Sequence, residues 1–189
     1  MSERRLETQW PIEVEIARSK GIYVIEDDAY GCLMEVPLPT ISSLVPELTI
    51  RFTSLSKSLG PGLRIGYVES LSSLTSQISE AIRAPTWMAS PLAAEVGSQL
   101  ILSGRAEKLV VDNRVELGQR NQALIDELKG FNLVTKAFSP HAWLLLPAPW
   151  TASQFCAWTE SVEFKVSASD AFNINRPRKR PCLFLEMVE

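Results

Sequence analysis

Thr53-Ser54-Leu55-Ser56-Lys57-Ser58-Leu59-Gly60-Pro61-Gly62-Leu63-Arg64-Ile65-Gly66-Tyr67 decides how this 189-residue chain is read. A single lysine stands among small hydroxyl residues, Ser54, Ser56 and Ser58. A Gly-Pro-Gly turn follows, and then an arginine at the head of an apolar run. A lysine amine that condenses with an aldehyde needs little bulk around it, so this setting suits Schiff-base chemistry. The hydroxyls and the planar guanidinium of Arg64 suit a phosphate group. Read from its residues alone, the same string is also a Ser/Gly surface turn with a solvated lysine.

Working outward, Ile22-Tyr23-Val24-Ile25 is a β-branched run behind Gly21, the pattern of a buried parallel strand. Glu26-Asp27-Asp28-Ala29-Tyr30-Gly31 lies at its carboxyl end, where open α/β sheets place their ligands. An Asp-Asp pair at this point is also a turn with helix-capping capacity.

The two segments together resemble the cofactor motifs of fold-type I pyridoxal-phosphate (PLP) enzymes, the class I/II aminotransferases. The resemblance implies that Lys57 forms the Schiff base with pyridoxal 5'-phosphate and serves as general base once substrate releases it. It implies that Asp27 pairs with the protonated pyridine nitrogen, with Asp28 as the second candidate. Tyr30 would donate to the phenolic oxygen of the ring, and Ser54 and Arg64 would hold the phosphate. The substrate-carboxylate arginine of the family corresponds to Arg180, in Arg180-Pro181-Cys182-Leu183. Arg176, Arg178 and Lys179 crowd that segment and leave its register open, and Pro181 removes a strand donor. The same basic cluster also reads as a solvated turn, or as a targeting or nucleic-acid patch.

Ser139-Pro140-His141-Ala142-Trp143 through Pro147 is similar to a strand in the aminotransferase-like domain of MocR-type GntR-family regulators. Phe164–Ser167 and Ala171-Phe172 are similar to the strand and turn that follow it. His141, beside Trp143 on an apolar strand, reads as packing rather than as a ligand. The resemblance covers nearly the whole chain but only the second part of the family's catalytic domain. The upstream phosphate loop, the ring-stacking aromatic and an asparagine of the family have no counterpart here, nor does the regulators' winged helix. Three functions are therefore expected as alternatives. They are a PLP-dependent transferase acting on an amino acid and a keto acid, a PLP- or effector-sensing module of a MocR-type regulator, and an inactive remnant of either. In the family the full-length protein is a homodimer.

Composition narrows the field further. A hydrophobic fraction of 46% and a charged fraction of 22% are ordinary for a globular protein. The net charge of −3 argues against a general nucleic-acid surface. Cys32, Cys156 and Cys182 are widely spaced, and with a single histidine they support neither a zinc site nor a disulfide framework. A reducing, cytoplasmic setting is the expectation. The polar start lacks an apolar signal region, and no run is long enough to span a membrane.

The expected fold is α/β, a partial PLP-transferase large domain followed by a small α+β domain. Residues 1–103 are expected to belong to the large domain, 104–130 to a connecting helix and 131–189 to the small domain. Helices are expected over Ser2–Lys20 (interrupted at Pro11), Leu71–Arg83, Pro91–Leu102, Arg105–Lys129 and Ala152–Trp158. Strands are expected at Ile22–Glu26, Thr49–Thr53, Arg64–Glu69, Phe131–Val134, Ala142–Leu146, Glu163–Ser167 and Cys182–Met187. Residues 32–47 are expected to cross irregularly.

Overall fold

The computed structural model describes residues 3–172 and 181–187, with side chains described from Ile12 onward. The chain divides into two units, residues 1–113 and 114–189.

The first unit begins with helix α1 (Glu3–Lys20). It runs unbroken past Pro11, against the expected interruption, so the loss of one backbone donor is absorbed within the helix. Gly21, at φ +62°, ends it in the left-handed conformation that glycine adopts without steric cost. Strand β1 (Val24–Asp27) leads through a short 3-10 turn to the one-turn helix α2 (Ile41–Leu44), and strand β2 (Thr49–Ser54) follows. Thr40 caps α2 by accepting from the Ser43 amide. The Glu26 carboxylate also accepts from the amides of Ile41 (2.8 Å) and Ser42 (3.0 Å), so α2 is fastened to β1. β1 and β2 pair in parallel, and β2 pairs antiparallel with β3 (Gly66–Glu69), giving the order β1-β2-β3. Helices α3 (Ser72–Thr86), α4 (Pro91–Leu102) and α5 (Arg105–Glu127) follow, and the division between the units falls within α5.

Strand alternation sorts the residues of this sheet into two faces. Val24, Glu26, Thr49 and Arg51 lie on one, and a small core of Val14, Ile41 and Val45 packs with Val24 and Leu48. Ile25, Asp27, Ile50, Phe52 and Ser54 lie on the other. The expectation of a buried first strand fails here, because Ile25 is 70% exposed and Phe52 38% exposed. The pairing is parallel as expected, but apolar cover reaches only one face among the described residues.

Two further boundaries differ from expectation. Arg64 precedes β3 in a left-handed conformation (φ +52°) instead of opening the strand, because Pro61–Leu63 form a 3-10 turn. Glu163 also has a positive φ, +60°, and strand β6 is confined to Ser167–Ala168.

The second unit is built on strands β4 (Asn132–Thr135), β5 (His141–Leu145), β6 and β7 (Cys182–Glu186), with helix α6 (Ala152–Ser161). The sheet order is β4-β5-β7-β6, with each neighbouring pair antiparallel. Ala142, Leu144, Leu146, Ala152, Leu183 and Leu185 are buried together. Thr151 closes a reciprocal capping box with Gln154 at the start of α6. Asn121, 2% exposed, donates to the carbonyls of Lys136 (2.7 Å) and Ser139 (2.8 Å) and accepts from Thr135 (2.8 Å). Its amide is thereby satisfied while it holds the β4–β5 turn. No helix among the described residues is long and apolar enough to cross a membrane.

Candidate active site

Parallel pairing places the carboxyl ends of β1 and β2 together, and the antiparallel β3 starts at that same end. Asp27 pairs with Phe52, two residues before Ser54, and Ser54 pairs with Gly66. The Asp27 and Ser54 positions therefore share a face and an end of the sheet. Gly66 is required there, because a Cβ would stand 2.9 Å from the Thr53 carbonyl oxygen.

Beyond the strand ends, the loops bring Lys57 and Tyr30 together. The Lys57 Nζ lies 5.7 Å from the centroid of the Tyr30 ring, a cation–π separation. Tyr30 is 38% exposed and Lys57 half-buried, so the pair sits at the surface rather than inside a core. The Asp-Asp pair resolves into two different roles. The Asp28 Oδ2 accepts from Arg51 Nε (3.0 Å) and Nη2 (2.5 Å), while Arg51 Nη1 reaches Glu69 at 3.2 Å. Arg51 thus ties together the end of β1, the middle of β2 and the end of β3. The Asp28 hydrogen bond is the main cause that pushes the Arg51 pKa above its ordinary value, so the guanidinium stays charged. A Cβ on Gly31 would collide with the Asp28 carboxylate, which is why the turn carries glycine. Asp27, by contrast, is exposed, and its Oδ1 accepts from the Ala29 amide at 3.1 Å in a local turn.

The lysine loop is itself a tight structure. The amides of Leu59 and Gly60 both donate to the Leu55 carbonyl (2.8 and 3.1 Å), and the Leu55 amide donates to Ile65 (3.0 Å). Leu55 and Ser58 are buried on either side of Lys57. Of the three hydroxyls, Ser58 donates to the Ser54 and Leu55 carbonyls (both 3.4 Å), and the Ser54 Oγ accepts from the Ser56 amide (3.1 Å). Arg64 is exposed. Arg180 lies outside the described residues, as do Arg176, Arg178 and Lys179. His141 stacks at 4.7 Å on Phe184, in keeping with its reading as a packing residue.

Three residues of the surroundings were not legible as site residues. Arg51 looks like any strand arginine until its partners are known. Asn113 on α5 donates to the Lys57 carbonyl at 3.0 Å across 56 residues of sequence, with no local signal. Gly97 did carry a hint, a glycine inside a helical run. A Cβ there would come within 2.8 Å of Leu55 Cδ1, so the glycine admits the lysine loop against α4. Among the described residues no cluster of His, Cys, Asp or Glu could hold a metal ion.

Known proteins resemble this chain in sequence and in fold. The profile described as "Aminotransferase class I and II" matches residues 8–157. The HTH-type transcriptional regulator YdeF of Bacillus subtilis (strain 168) is 32% identical over 158 residues, which are 84% of this chain and 34% of that protein. Solved structures that share the fold include two aminotransferases. The kynurenine aminotransferase of Pyrococcus horikoshii, in complex with PMP, has a TM-score of 0.84 at 21% identity, over 99% of this chain and 47% of that one. LysN, the α-aminoadipate aminotransferase of Thermus thermophilus, has a TM-score of 0.79 at 21% identity, over 94% and 48%. The chain thus spans about a third of the regulator and about half of either enzyme. The resemblance read from the Asp-x-x-Tyr and lysine motifs is met both by the sequence profile and by the fold: this chain belongs to the class I and II aminotransferase family.

Proposed function

We propose that this chain is a pyridoxal 5'-phosphate-binding, aminotransferase-like domain that serves amino-group transfer between an amino acid and a keto acid. The observation that carries this reading is the Lys57 amine 5.7 Å from the Tyr30 ring, beside the strand end that bears Asp27 and Ser54. The donor set fits the cofactor chemically: an amine for an aldehyde, a carboxylate for a pyridinium, a phenol for a phenolate, and hydroxyl plus guanidinium for a phosphate. When bound, the cofactor supplies an electron sink for bonds at the amino acid's α-carbon.

In this reading Lys57 would hold the cofactor through its aldehyde group and would serve as the general base for the proton at the substrate's α-carbon. Asp27 is assigned to the pyridine nitrogen in preference to Asp28, whose carboxylate is already engaged by Arg51. Tyr30 would donate to the ring oxygen, and Ser54 and Arg64 would hold the phosphate. Arg180 is assigned to the substrate carboxylate from the family pattern. Residues 104–130 are the connector between a large domain (1–103) and a small one (131–189). The setting is cytoplasmic, and the full-length protein is a homodimer.

The test is addition of PLP to the full chain, followed by borohydride and peptide mapping. Label concentrated on Lys57 and lost in Lys57→Ala is the expected result. Label spread equally over surface lysines in both proteins would defeat the proposal. A panel of amino acids and keto acids under saturating PLP then asks for turnover above the Lys57→Ala background.

A second reading is favoured by one specific observation, the 32% identity to an HTH-type transcriptional regulator. In it the same residues bind PLP as an effector without turnover, and DNA is contacted by a region outside these 189 residues. Lys57 labelling without turnover would select this reading.

A further inference from the structure

We propose that Asn113 is a positioning residue for Lys57, which fixes the main chain from which the reactive amine swings. The inference rests on the reading of Lys57 as the residue that carries the aldehyde cofactor. The Asn113 Nδ2 donates to the Lys57 carbonyl oxygen at 3.0 Å, from a partly buried place on α5. Both turn amides of the loop, of Leu59 and Gly60, go to the Leu55 carbonyl rather than to that of Lys57. The bond to Asn113 therefore adds a constraint that the loop does not supply for itself.

The chemistry of the donor suits the task. A carboxamide is neutral at every working pH, so it holds the lysine backbone without adding a charge beside the amine. It projects from a 23-residue helix, a stiffer support than another loop would be. Asparagine is a poor helix former, so its interior place costs some helix stability, which this tertiary bond offsets. Buried Leu55, close against Gly97, steadies the other side of the loop. With both holds in place, the amine's reach is governed by side-chain torsions rather than by backbone drift, which is how geometry lowers the cost of reaching a productive pose.

Two variants of the full chain test this, Asn113→Ala and the isosteric Asn113→Asp, whose ionised carboxylate has no donor. Hydrogen exchange of the 55–60 segment is measured without cofactor. PLP affinity, and the pH midpoint of the absorbance band of the Lys57-linked cofactor, are measured with it. One net hydrogen bond corresponds to about a three- to tenfold change in an equilibrium. Both variants are expected to raise exchange in the loop and weaken PLP binding by that factor, and to move the pH midpoint, with an unchanged far-ultraviolet spectrum. If Asn113→Ala unfolds, Asn113→Asp decides. Wild-type labelling at Lys57 with unchanged exchange, affinity and midpoint in the variants would overturn the positioning role alone. No labelling of Lys57 in the wild type would overturn the cofactor reading and this inference with it.

Discussion

The two sheets of this protein contrast in how completely they are covered. The four-stranded sheet of the second unit buries a contiguous core, with Leu183 and Ala142 fully inaccessible. The three-stranded sheet of the first unit buries a small cluster on one face, while Ile25 and Phe52 on the other stay open. Yet the open sheet carries Asp27 and Ser54, and the loops beyond its strand ends carry Tyr30 and Lys57. The strand ends of this sheet are held by hydrogen bonds and ion pairs, such as Glu26 on α2 and Arg51 on Asp28, more than by apolar burial. Solved structures with this fold are about twice as long.

Substitutions that probe the two sheets in the same way give the sharpest test. Leu183→Ala, at the centre of the covered sheet, is expected to cost about 2–5 kcal/mol of unfolding free energy. Ile25→Ala is expected to cost below about 1 kcal/mol, since little contact is lost at a 70% exposed strand position. Denaturant titration with segment-resolved hydrogen exchange measures both. Equal costs would break the comparison and show that the Ile25 face is covered in solution.

A smaller effect is expected where polar ties replace the core. Arg51→Met removes the partner of Asp28, whose side chain is 21% exposed, and frees Glu69. The expected cost is about 1–3 kcal/mol, concentrated in exchange at β1 and β3. A loss spread evenly over both units would contradict a local role for this network. In the second unit the comparable polar device is the capping box of α6. Thr151→Ala is expected to cost about 1 kcal/mol, read as earlier fraying of Ala152–Ser161.

The smallest effect is a pH dependence at the surface. The Glu47 carboxyl is held below its ordinary pKa, chiefly by its own backbone amide and further by Arg18, 3.2 Å away. A carboxylate with a depressed folded pKa stabilises above its unfolded pKa and loses that contribution as pH falls through the folded value. Glu47→Gln is therefore expected to flatten slightly the acid limb of the stability profile. An acid limb identical to that of the wild type would remove Glu47 from the account.

Much of the architecture was readable from consecutive residues. Gly21 ends α1, the Gly-Pro-Gly stretch sets the turn before Arg64, and Pro91 opens α4. Each works through local backbone chemistry, so each shows in the letters. The strand expected at Glu163–Ser167 was misread because a β-branched and aromatic run says nothing about a positive φ at Glu163. Pro11 was misread for the converse reason: a helix can go on past a proline when its other bonds suffice.

The sequence by itself determined the class of the fold, the family and the order of most of its elements, because motif spacing is a property of neighbours along the chain. Tertiary structure alone decided that Asp28 is taken by Arg51, that Ile25 stays open, and that α5 supplies Asn113 to the lysine loop and Asn121 to the β4–β5 turn. Those outcomes depend on which distant groups meet, 15 residues apart for Asn121 and Lys136 and 56 for Asn113 and Lys57. A hydrogen bond between groups so far apart leaves no local pattern, since its energy comes from proximity that only the folded chain creates.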